Sequence, residues 1–267
     1  MKILAMTCCC TDVYPEKNVI VVGGNALNVG ANCKLTNLAD VYLMGNIGTD
    51  AFGKVIKEVA KQYELNVDRL YEVNGESAHN IVYIADNGDR YFKTDSWHNG
   101  VYGEYRISEE DAAFMQTMDV IATTRNDPNL KEIIEIRRKG QFVLAVDFLD
   151  WDLDEAWELW LDAIDLFFIS GKKRDLPKLK EWSIAYPKNV FVATLGEEGS
   201  IAYKAGNIYT CKAVEVEQVV DTTGCGDSYQ GTFIAYYIET GDIEQAMEEG
   251  SKAAAKTLGF VGALQKK

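Results

Sequence analysis

The chain of 267 residues carries 41 acidic against 27 basic side chains, a net charge of −14 at neutral pH. That balance argues against polyanion binding, so no nucleic-acid partner is expected, and it favours an enzyme acting on small molecules. Four prolines and 22 glycines, with no Ser/Gly-rich or charge-block segment, leave no linker, and a single α/β domain over 1–267 is the expectation. No apolar run reaches spanning length and no cleavage-type start follows Met1, so a cytoplasmic protein with no membrane partner is expected. The six cysteines include no Cys-x-x-Cys pair. Side chains of Cys8, Cys9 and Cys10 would alternate between the faces of a strand, so buried reduced thiols and no metal centre are expected.

In chain order, residues 3–9 form a short apolar run that fits a buried first strand, and Asp12 follows its C-terminal end, where ligands collect in open α/β sheets. A second β-prone run at 19–22 leads into Gly23-Gly24-Asn25-Ala26-Leu27-Asn28-Val29, which opens a helix to about residue 38. Paired glycines before a helix with two asparagines suit a polyhydroxy ligand, because an amide both donates to and accepts from hydroxyls. Residues 41–44 read as a strand, and Asp50 is expected to cap a helix over 52–63 rather than to do chemistry. The β-prone runs 78–85 and 90–94 flank Asp86-Asn87-Gly88-Asp89, a hairpin signal. His79 and His98, in or near this hairpin, have no partners at metal or triad spacing and read as ordinary histidines.

Beyond residue 109 helical and strand patterns alternate: helices over 109–118, 129–139 and 154–161, strands over 120–123, 142–147 and 166–169. Such alternation predicts parallel βαβ units. Trp157 and Trp160 would neighbour each other on a helix, and burial against the sheet is the simpler reading than a sugar platform including Trp151. A strand at 190–194 leads to Leu195-Gly196-Glu197-Glu198-Gly199, a strand is expected at 213–220, and helices follow over 229–239 and 243–258. Between those last segments stands Asp221-Thr222-Thr223-Gly224-Cys225-Gly226-Asp227-Ser228, with its glycines where a strand turns into a helix. Amides at a helix N-terminus would steady a developing negative charge. Asp227 beside them is a misfit for passive phosphate binding and suits a general base. The Walker pattern Gly-x-x-x-x-Gly-Lys-Ser/Thr is absent, and Tyr229 replaces the third glycine of a dinucleotide fingerprint.

This stretch resembles the C-terminal signature of the PfkB, ribokinase-like carbohydrate kinases, Asp-Thr-x-Gly-Ala-Gly-Asp, with Cys225 in place of alanine. Gly23-Gly24-Asn25-Ala26-Leu27-Asn28 is similar to the family's N-terminal Gly-Gly-x-x-x-Asn, and Gly45 to Gly53 matches its Gly-x-x-Gly-x-Asp-x-x-Gly element. The resemblance implies a three-layer α/β/α sandwich with a mostly parallel sheet and a small β lid from about 12–22 and 76–97, which excludes water and is often shared across a homodimer. It also implies ATP and Mg²⁺ as cofactors and transfer to a primary sugar hydroxyl. Catalysis falls to Asp227 with the amides of Gly224, Cys225 and Gly226. Sugar binding falls to Asp12, Gly23, Gly24, Asn25 and Asn28, although the Gly-acid pair usual before the aspartate is replaced by cysteines. Nucleotide binding falls to Thr194, Gly196, Gly199 and Thr222. Where members carry Asn-x-x-Glu to organise magnesium, this chain has Ser170-Gly171-Lys172-Lys173, and Lys172 is expected to meet ATP phosphates instead.

Within the family, Asp12-Val13-Tyr14-Pro15, Asp147-Phe148-Leu149-Asp150 and Ser170 resemble the members that phosphorylate fructosamines. Their amino-acid arm would meet charges at the lid mouth, Asp86, Asp89 and Asp95 with Arg90 and Lys93. A kinase for a simple sugar or nucleoside, and a sugar-binding protein without turnover, are the alternative readings.

Overall fold

The computed structural model describes residues 1–85 and 90–265. The expected turn at Asp86-Asn87-Gly88-Asp89 lies outside them. The chain opens with β1 (Lys2–Met6), β2 (Cys10–Tyr14), β3 (Val19–Gly23), α1 (Asn25–Leu35), β4 (Asp40–Gly48), α2 (Ala51–Gln62) and β5 (Asn66–Val73). Four short strands follow, β6 (His79–Ile81), β7 (Tyr83–Ile84), β8 (Arg90–Tyr91) and β9 (Trp97–His98). The second half runs α3 (Glu109–Met115), β10 (Val120–Thr124), α4 (Leu130–Arg138), β11 (Val143–Asp147), β12 (Leu166–Ser170), α5 (Leu176–Ala185) and β13 (Val190–Thr194). It ends with β14 (Ser200–Lys204), β15 (Asn207–Cys211), α6 (Cys225–Thr240) and α7 (Ile243–Thr257).

Nine strands form the central sheet in the order β15-β14-β13-β12-β11-β10-β1-β4-β5. Pairing is parallel from β5 to β13 and antiparallel through β14 and β15. Alternation along β1 shows why it is central: Ile3 and Ala5 enter one apolar core, Leu4 and Met6 the other, and all four are at most 1% exposed. Residues of α1, α2, α6 and α7 cover the first face, and residues of α3, α4 and α5 the second. Helices on both sides of a buried sheet make the expected three layers. A separate four-stranded sheet, β3-β2-β6-β9, and the antiparallel β7–β8 pair stand apart from the central sheet.

Asp50 caps α2 as expected, its Oδ1 accepting from Gly53 N at 2.9 Å. Helix 229–239 extends to the whole of α6, whereas the first helix stops at Leu35 rather than near 38. Two expectations fail. Residues 154–161 make a 3₁₀ turn over Glu155–Trp160 instead of an α-helix, started by Asp154 Oδ1 accepting from Ala156 N at 2.8 Å. Residues 213–220 form no strand despite their apolar alternation. They follow β15, the outermost strand, without extending the sheet, and Val214, Val216 and Val219 stay exposed, so no apolar face is buried there to reward pairing. That hairpin escaped the sequence reading because its turn is Ala205-Gly206, with φ of 49° and 80°, rather than Asn-Gly. All six cysteines are free thiols, four of them buried. Among the described residues no helix is long and apolar enough to cross a membrane.

Candidate active site

The segment before α6 must turn sharply, and Asp221 holds the turn. Fully buried, it accepts from Thr223 N at 2.9 Å through Oδ1, and from Tyr14 OH at 3.0 Å and Gly262 N at 2.7 Å through Oδ2. The small sheet, the α6 loop and the C-terminal segment are thereby joined at one carboxylate. Tyr14 OH also reaches Thr223 Oγ1 at 3.2 Å, and burial pushes its phenol well above the ordinary range. Gly224 then caps α6 with φ 78°, and a Cβ there would collide with Ala263, so only glycine fits. Sequence reasoning named Asp221 in the motif without a role. Its contact to the amide two residues on is an Asx-turn pattern that could have revealed one.

At the start of α6 the three expected amides differ. Cys225 N donates to Thr222 O at 3.3 Å and so closes the turn, whereas Gly226 lies in the first turn, where no intrahelical acceptor exists. Beyond its chain neighbours and the helix's own backbone, nothing stands within 4 Å of where a Gly226 Cβ would be, leaving open space beside the first turn of α6. Asp227, 8% exposed, follows directly. Its Oδ1 accepts from Asn25 Nδ2 at 2.7 Å and its Oδ2 from Asn28 Nδ2 at 2.8 Å. Each of the two asparagines expected on sugar hydroxyls thus gives one N–H to Asp227, and its amide has a second N–H besides. Buried Asn28 Oδ1 and Gln230 Oε1 have no hydrogen-bond partner among the described residues. Asn25 and Gln230 also border a small cavity with Thr7 and Thr124.

Gly24, with φ 92°, packs against the backbone of Cys8 and Cys10 and starts α1, which carries the asparagines to α6. Asp12 is buried on β2 with its carboxylate against Gly23, where a side chain would displace it. On the neighbouring strand ends, Asp147 closes β11. Burial, and secondarily the charges of Asp227 and Asp150, push its carboxyl up to about 7, while Leu149 N donates to its Oδ1 at 2.8 Å. The sequence reading used this aspartate only as a resemblance.

Of the residues expected at the nucleotide, Thr194, Gly196, Gly199 and Lys172 lie at or beyond the ends of the adjacent strands β12 and β13, and Thr222 precedes α6. Thr194 ends β13 in register with Ser170 of β12, and Gly171 N donates to Thr194 O at 2.9 Å. Gly196 and Gly199 bound the turn between β13 and β14, and Tyr229 of α6 donates to Ser200 Oγ just beyond it at 2.8 Å. Lys173 pairs with Glu198 at 2.7 Å, while Lys172 and Arg174 both hold Asp152. Among the described residues no cluster of three or more His, Cys, Asp or Glu side chains is placed to hold a metal ion. His79 and His98 stack at 4.2 Å across the small sheet. Trp157 is buried as expected and Trp151 is not.

With this geometry in place, the sequence profile described as pfkB family carbohydrate kinase matches residues 10–266. The chain is a member of that family. This kinase is 30% identical over 257 residues to fructoselysine 6-kinase of Shigella flexneri, covering 95% of the chain and 96% of the relative. It is 26% identical to fructosamine kinase FrlD of Bacillus subtilis, over 99% and 93% of the two chains. The ribokinase of Arabidopsis thaliana solved with ribose and ATP superposes with a TM-score of 0.78 at 19% identity, over 98% and 93% of the chains. Adenosine kinase from Sinorhizobium meliloti superposes with a TM-score of 0.83 at 18% identity, over 99% and 95%, which establishes the shared fold of the kinase.

Proposed function

We propose that the kinase transfers the γ-phosphoryl group of ATP to a primary hydroxyl of a fructosamine such as fructoselysine, with Asp227 as general base. The observation that carries this reading is the seating of Asp227: two amide N–H groups occupy one oxygen each beside the open space at the start of α6. Two N–H donors call for the acceptor-only, ionised carboxylate. The two contacts fix the carboxylate, so the base is oriented before substrate arrives. The hydroxyl oxygen forms a bond to the γ-phosphorus, its proton passes to Asp227, and the bond to the bridging oxygen breaks to release ADP. The orphan amide of Gly226, with the Gly224 turn, steadies the charge on the moving group. Magnesium, when bound with ATP, would supply charge neutralisation at the phosphates.

Asp12, Gly23 and Gly24 shape the sugar side, and Thr194, Gly196, Gly199 and Thr222 the nucleotide side. Lys172, half-exposed and paired among the described residues only with exposed Asp152, can exchange that weak pair for a phosphate. The small sheet acts as the lid, and its exposed Val19, Ile20 and Trp97 suit a homodimer. Free thiols fit a reducing cytoplasm. Names of the 30% and 26% identical relatives support the acceptor class. In an ADP-release assay with Mg·ATP, fructoselysine should give a higher kcat/KM than fructose, ribose or adenosine. Equal efficiency with an unmodified sugar would reject the fructosamine acceptor.

A further inference from the structure

Arg125 follows Thr124, the last residue of β10, and its side chain is half-buried at the same edge of the sheet as Asp147 and the small cavity beside Asn25. Its backbone is fixed by Arg125 N donating to Asp147 O at 2.8 Å. The guanidinium lies over the ring of Trp151 at 3.9 Å from the centroid, with buried Trp157 at 5.8 Å. Indole faces hold a guanidinium by cation–π attraction while leaving its in-plane N–H groups for an acceptor. Here no acceptor is supplied: Arg125 Nε is buried without a hydrogen-bond partner, and no carboxylate pairs with the side chain among the described residues.

In a chain of net charge −14, Arg69, Arg137, Arg138 and Arg174 rest on carboxylates and Arg106 on the carbonyls of Gly103 and Tyr105, whereas the Arg125 side chain has no acceptor among the described residues. Of the acids close to Arg125 in sequence or sheet, Asp150 is exposed to solvent and three are committed elsewhere. Asp127 accepts from Thr123 Oγ1 and Asn129 N, Asp147 from Leu149 N, and Asp152 from Lys172 and Arg174. A buried donor without an acceptor costs free energy that a bound oxyanion returns, and the planar fork selects an anion with two coplanar oxygens.

We propose that Arg125, on its Trp151 platform, is a specificity-determining residue that docks an oxyanion carried by the acceptor sugar, namely the carboxylate of the amino-acid arm. This rests on the fructosamine reading and adds the group that is recognised and the residue that recognises it. A phosphate on the sugar offers the same oxyanion chemistry and is the second source.

The test compares four acceptors: the fructosamines of lysine and glycine, each as the free acid and as the carboxamide. The wild-type kinase should prefer acid over amide by about 10- to 100-fold in kcat/KM, mostly through KM, as expected for a charge-assisted bidentate contact. R125Q should bring the acid-to-amide ratio close to one, and R125K should restore part of it. Should R125Q fail to fold, Trp151→Leu removes the platform and should lower the same ratio. A wild-type ratio near one, or a ratio that R125Q leaves unchanged, overturns the dock while turnover of the fructosamines upholds the proposed function. Fructose 1-phosphate separates the sources: if it outperforms both acids and R125Q abolishes its advantage, the oxyanion dock stands and the amino-acid arm is rejected. Turnover of neither the fructosamines nor fructose 1-phosphate overturns both readings.

Discussion

Asp227 and the amides that hold it come from opposite ends of the chain, Asn25 and Asp227 being 202 positions apart. Asp227→Asn keeps the size of the group but removes its capacity to take a proton, so kcat should fall by about 10²-fold or more with nucleotide affinity retained. Turnover within a fewfold of wild type would remove Asp227 from the mechanism. Asn28→Asp tests the support. It replaces a donor with a second buried carboxylate against Asp227, and like charges sharing a site hold one of the pair protonated to higher pH. The acid limb of the kcat–pH profile should therefore move to higher pH in Asn28→Asp, and an unmoved limb would mean that the titrating group lies elsewhere. Both asparagines were legible as polar residues opening a helix, but not their target. Periodicity places residues on one element and does not say which distant side chain they meet.

The start of α6 joins two glycines with different duties, and substitution separates them. Gly224 has a left-handed backbone and lies against Ala263, so Gly224→Ala combines a dihedral cost of about 1–2 kcal/mol with a collision. It should lower the melting temperature. Gly226 has a helical backbone and open space in front of it, so Gly226→Val should leave melting nearly unchanged while activity falls as the isopropyl group fills the phosphoryl space. Activity surviving in Gly226→Val would place the anion site elsewhere. Among the elements, β1, β10, β11, β12 and β13 were readable because strands buried on both faces are continuous apolar runs with turn residues between them. Residues 213–220 misled for the opposite reason. Alternation states only that a strand could form, and a strand is held by burying one of its faces, which Val214, Val216 and Val219 do not.

At the scale of the whole molecule, the site lies where strand ends from the second half of the chain meet a helix from each terminus, and this crowding places Asp147 in the sheet within the field of Asp227. Burial first, and the charges of Asp227 and Asp150 after it, raise the Asp147 carboxyl from the ordinary value near 3.8 to about 7. A carboxyl raised in the folded state keeps its proton longer than in the unfolded chain. Between about pH 4 and 7 the unfolded state therefore binds fewer protons, and the stability contributed by protonated Asp147 is lost as pH rises through that window. Asp147→Asn retains an oxygen to accept from Leu149 N and cannot ionise. Its melting temperature relative to wild type should consequently increase from pH 4.5 to pH 8, the range in which the wild-type group becomes charged. Other perturbed carboxyls, such as Asp50 and Asp111, are shared by both proteins and cancel in the difference. Asp227 supplies part of the shift, so in an Asp227→Asn background the same comparison should show a smaller rise. A difference independent of pH in the wild-type background would mean that Asp147 ionises alike in the folded and unfolded chains, and that its carboxyl does not feel the site.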